Sequence, residues 1–92
     1  MNRFNLDNGY SPIVPIGTFV QVMPLTMMNI MEHYGVTYPE GMMEFAGMIY
    51  KVSGRVGRYY RLNTPNGMDY YNWNRSAFRV LSVQEVFDMG LV

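Results

Sequence analysis

The sequence predicts a mainly β fold: one small five-stranded barrel with a short helical insert in its first long loop and a short C-terminal helix. Three observations carry this. Short runs of alternating apolar character recur along the chain, each bounded by Gly, Pro or Asn. The strongest local pattern, Thr64-Pro65-Asn66-Gly67, is a turn between two such runs. Finally, 92 residues at 49% hydrophobic and 15% aromatic suffice for one core and one domain.

Residues 1–15 form a polar, Gly- and Pro-containing N-terminal arm, and the barrel proper is expected over 16–81. The first strand falls at 16–23. Thr18, Val20 and Val22 face one side and Phe19, Gln21 and Met23 the other, until Pro24 ends the run. The long loop, 24–44, holds the insert. Thr26 is the expected N-cap, Gly35 suits a helix C-terminus, and Met27, Ile30, Met31 and Tyr34 share a face at helical spacing that should pack on the barrel. The chain then wanders over 36–43 through the turn signal Pro39-Glu40-Gly41.

The second half reads as three strands at 48–53, 58–62 and 68–73. A tight connection at 54–57 joins the first two, and the Pro65-Asn66-Gly67 turn joins the last two. Asn74 caps a single 3₁₀ turn before a short last strand at 78–81. The tail, 82–92, opens with a capping box in which Ser82 is the cap and Glu85 stands three residues on. Gly90 ends that helix, and its apolar face of Val83, Val86 and Phe87 must rest on the barrel or on a neighbouring chain.

Strand, long loop, three strands joined by short turns, a 3₁₀ turn and a short strand is the order of an SH3-like barrel. The chain also resembles a broad group of small bacterial and phage proteins. The residues that carry the resemblance are Gly17, Val20 and Val22, then Phe45 and Gly47, then Val52, Gly57, Tyr59, Tyr60 and Leu62, and last Tyr71, Trp73, Asn74, Phe78 and Leu81. About two thirds of the chain is covered. The resemblance implies a fold and no particular activity. It departs from the pattern in its longer, Met-rich first loop, and the N-terminal arm and C-terminal helix are additions; function on a small barrel tends to live in such additions.

Little in the sequence points to catalysis, and the expectation is that the protein is not an enzyme and needs no cofactor. Cysteine is absent, which removes disulfides, thiolate nucleophiles and cysteine-ligated metals. His33 is the lone histidine; with Glu32, Glu40 and Glu44 it makes no recognised metal spacing. Ser53-Gly54-Arg55-Val56-Gly57 lacks the Lys-Ser/Thr ending of a phosphate loop. No apolar run approaches the ~20 residues that span a bilayer, and no signal-peptide h-region is present. A cytoplasmic or virion location, without membrane or small-molecule substrate, is expected.

Two readings remain for the partner. Seven of the ten methionines lie between Met23 and Met48, either filling an irregular core or forming an adaptable docking surface. From Lys51 to Arg79 there are six cations against Asp69, a charge of +5; the remaining residues, Arg3 against six carboxylates, carry −5. The leading expectation is a protein-interaction or assembly module that binds itself or another protein, such as a phage structural protein or a phage inhibitor of a host protein. Met27, Met28, Met31, Tyr34, Tyr38, Met42, Val83 and Phe87 are its candidate contacts. The alternative is a nucleic-acid surface of Arg55, Arg58, Tyr59, Tyr60, Arg61 and Arg75, although a pI near 6.5 lacks the usual basic excess. Proline-rich peptide recognition is not expected, because the first loop carries Met23-Pro24-Leu25-Thr26-Met27 in place of an aromatic and acidic run.

Overall fold

The computed structural model describes residues 13–39, 41–64 and 71–92. Most of the expected arm, Glu40, the Pro65-Asn66-Gly67 turn and Tyr70 lie outside the described residues. Within them the chain runs through β1 (Phe19–Val22), α1 (Leu25–His33), a 3₁₀ turn (Met42–Phe45), β2 (Ile49–Val56), β3 (Tyr59–Leu62), a second 3₁₀ turn (Arg75–Ala77), β4 (Phe78–Val80) and α2 (Val83–Asp88).

The fold is mainly β. Its centre is an open four-stranded antiparallel sheet in the order β3-β2-β1-β4. Val20 sits opposite Tyr50 of β2 on one side and Val80 of β4 on the other. An isolated antiparallel bridge adds Trp73 beside β3: the Tyr60 and Trp73 amides donate to each other's carbonyls at 2.9 and 2.8 Å.

The β2–β3 hairpin differs from the expected one. The break anticipated at 54–57 is not there; β2 continues to Val56, and only Gly57 and Arg58 lie between it and Tyr59. Ser53 is the extra residue of a bulge, since Val52 pairs with Leu62 and Gly54 with Arg61. A bulge bends and twists a strand without ending it, so the glycine at 54 stays in the ladder.

α1 starts at Leu25, and its cap position, Pro24, lies two residues before the expected Thr26. Pro24 precedes it in extended conformation, its carbonyl accepting from the Met27 and Met28 amides, and no side chain caps the helix. At the far end Gly35 takes φ 94°, its amide donates to Glu32 and that of Val36 to Met31, the paired bonds of a Schellman motif. The buried stripe is also displaced. Met28 is fully buried and Met27 and Met31 pack beside it, whereas Ile30 is 56% and Tyr34 79% exposed. Five of the nine helical residues are apolar, so helical spacing alone could not select the stripe that faces the sheet.

The core gathers the alternate residues of the sheet, Val20, Val22, Val52, Tyr60, Leu62 and Phe78, with Trp73 from the edge, Met28 and Met42 from the long loop and Phe45 just after it. Met23, expected on the opposite side of the first strand, follows the end of β1 and turns into the same core. Edge-to-face contacts link Phe45 to Tyr71 and Trp73, and Tyr60 to Phe78, with ring centroids 5.5–6.2 Å apart. Val14, expected in the arm, belongs to this core, and its amide donates to the Tyr60 hydroxyl at 3.1 Å.

Candidate interaction surface

α2 is too short to be stable on local propensity, so its position depends on its ends and on tertiary contacts. Both ends are closed. The expected capping box is complete: Ser82 Oγ accepts from the Glu85 amide at 3.1 Å, and Glu85 Oε1 accepts from the Ser82 amide at 3.0 Å. At the C-terminal end the Gly90 amide donates to Phe87 and that of Leu91 to Val86.

The helix is tied to the sheet by a polar chain. Arg79 on β4 donates from both terminal nitrogens to the Glu85 carboxylate, at 2.9 and 2.7 Å. Its Nε donates to Gln21 of β1 at 3.0 Å, and Gln21 in turn donates to the Gly47 carbonyl at 3.1 Å. The Arg79 hydrogen bonds, followed by the Ser82 amide, hold the Glu85 carboxyl down at about 2, below its ordinary 4.5. The hydrogen bond to Glu85 also raises Arg79, against the opposing effect of burial. A planar guanidinium meeting a carboxylate in this two-pronged way fixes direction as well as distance.

What this anchoring leaves outside is apolar. Val83 is 88% and Phe87 73% exposed; lying four residues apart, they share one face of α2, and no residue of the helix is buried. The expected supports for this face were the barrel or another chain; among the described residues Val83 and Phe87 do not rest on the sheet, whereas Val86, the third residue of the expected face, is half-buried.

The other expected contacts separate. Met28 and Met42 are core residues, and Met27 and Met31 are packed against the core. Tyr38 is partly buried and donates its hydroxyl to Met23 Sδ at 3.5 Å; burial, then the Glu32 charge, raises its pKa above 10. Tyr34 alone of the α1 candidates is widely exposed. Most of the Met-rich loop thus fills the interior of an irregular loop, as flexible thioethers do well.

The Arg/Tyr set is also divided. Tyr60 is buried, with Arg55 5.7 Å above its ring, so it offers no face for a stacked base. Arg75 is half-buried, donates to the Phe78 carbonyl at 2.9 Å and lies over that ring at 5.1 Å. The exposed remainder, Arg55, Arg58 and Tyr59, lies at the turn of the β2–β3 hairpin, with Arg61 half-buried. Lys51 lies 4.9 Å over Phe19, Arg58 lies 6.0 Å over Tyr59, and Val56 and Tyr59 are paired and exposed. Neither strand contains an acidic residue.

Among the described residues no group of three or more His, Asp or Glu is placed to hold a metal ion. No helix among them is long and apolar enough to cross a membrane. Sequence reasoning singled out Val83, Phe87 and the capping box but missed Gln21 and Arg79, which hold the helix in place; the one signal was a lone cation six residues before the capping-box glutamate. The chain matches no protein-family model, no curated protein and no solved structure.

Proposed function

We propose that this protein is a non-enzymatic protein-interaction or assembly module on an SH3-like barrel, with residues 71–73 as the fifth strand. The strand order supports the barrel reading. From the Trp73 edge it runs through β3, β2, β1 and β4, β2 pairs with β1 through its first half and with β3 through its second, and a 3₁₀ turn precedes the last strand. A virion component or a phage inhibitor of a host protein is the setting that goes with this reading, and the flanking genes would sort between them.

The observation that carries the function is the orientation of α2. A helix capped at both ends and anchored through its charged edge presents Val83 and Phe87 to solvent. Rigid exposed aliphatic and aromatic side chains lose little entropy on docking, which favours binding. A photo-crosslinking residue at position 87 should give a discrete protein adduct in the native cell, and one at the exposed Asn72 should not. Equal labelling at both positions would remove the support for this reading.

The cation-rich β2–β3 hairpin favours a second reading, nucleic-acid binding through Arg55, Arg58, Arg61 and the exposed Tyr59. Phosphate contacts strengthen steeply as salt falls. Absence of binding to single- and double-stranded oligonucleotides at about 50 mM salt would remove it.

A further inference from the structure

We infer that the occupant of the α2 face is a second copy of this chain, bound head-to-tail, with Val83 and Phe87 of one copy seated on the outer face of the β2–β3 hairpin of the next. This rests on the reading of the protein as an interaction module and names its partner.

The two surfaces match in kind. The helix offers Val83 and Phe87 with Asp88 alongside, the acidic charge left on α2 once Glu85 is paired with Arg79. The outer face of the hairpin offers Val56 and Tyr59 with Lys51 and Arg61, Arg55 lying on the other face over the Tyr60 ring, and neither strand holds an acidic residue. One surface is apolar and acidic, the other apolar and basic. Contacts of that kind gain both from burial and from opposite potentials.

The sheet order keeps the two surfaces apart within one molecule. α2 is fixed beside β4 by the Arg79–Glu85 pair, and β4 lies at the opposite end of the order from β3. The helix therefore leaves its own hairpin uncovered, and its apolar residues stay exposed. A symmetric helix-to-helix dimer would bury Val83 and Phe87 but would bring the Asp88 carboxylates of the two copies together, with no cation in α2 to meet them. The charge pattern favours the unlike pairing, which continues into a ring or an array instead of stopping at a dimer.

The patch is small, so the contact belongs at the weak end of the specific range. Sedimentation velocity up to about 1 mM protein, where such contacts populate, should show concentration-dependent oligomers. They should be strongest near 0.01 M salt and dissolve near 1 M, as the Debye length falls from roughly 30 to roughly 3 Å. Phe87→Asp, which alters an exposed side chain, and Lys51→Glu with Arg61→Glu should each weaken association by about tenfold or more. Mixing the two variants is the decisive arm. Each retains one of the two surfaces, so the mixture should form dimers that grow no further.

A wild-type protein that stays monomeric across this range overturns the inference. So does a charge-reversed variant that associates as well as wild type, which would indicate helix-to-helix pairing. A crosslink from position 87 exclusively to a different protein overturns the second copy as occupant and leaves the module reading standing. No crosslink from position 87 to any protein overturns both.

Discussion

Arg79 and Glu85 face each other in parallel, two N–H groups of one donating to the two oxygens of the other at 2.9 and 2.7 Å, across the junction between β4 and α2. The same carboxylate completes the capping box by accepting from the Ser82 amide. One side chain therefore both starts the helix and decides where it points. This double role explains why α2 can stay ordered with its apolar face uncovered.

The pair makes stability depend on acid. Glu85 ionises at about 2 in the folded protein, below its ordinary 4.5. Its contribution is therefore fully present above about 4.5 and is lost as pH falls through about 2. Thermal unfolding followed between those values should drop in the wild type and be flatter in Glu85→Gln. An NMR titration of the Glu85 carboxyl with a midpoint near the ordinary value would contradict the arrangement.

Removing the cap isolates the helix from the sheet. Ser82→Ala should cost α2 about 1 kcal/mol. Because nothing in α2 is buried, the loss should appear as local opening. Amide exchange should speed up over 86–91 and remain unchanged in β1 and β2.

The two sides of α1 should respond differently. Met28 is fully buried, and Met28→Ala should cost roughly 2–5 kcal/mol, a large share of a small domain's stability. Ile30→Ala, on the exposed side, should stay within about 0.5 kcal/mol. Urea melts of the two variants check this, and equal costs would mean that the helix docks by a different stripe.

Tyr60→Phe tests the docking of the segment before β1. The change leaves the buried Val14 amide without an acceptor, which costs about 1–3 kcal/mol. Loss of exchange protection at Val14, with β2–β3 protection retained, is the expected signature.

The sequence alone determined the elements whose signals are local. Alternation in Val20 and Val22, the Asn74 and Ser82 caps and the glycines after both helices each act within a few residues, and each is found where expected. Tertiary structure decided what local signals leave degenerate. Which stripe of a helix rich in methionine turns inward depends on the strand it meets, so Met28 is buried and Tyr34 is not. Whether β2 stops at Gly54 depends on a partner strand, and opposite Arg61 it continues. Tyr59 and Tyr60 are neighbours of the same type, yet the pleat sends one to solvent and the other to the core. The fate of the C-terminal helix turned on a contact six residues back along the chain. Arg79 holds Glu85, and that geometry leaves Val83 and Phe87 facing out.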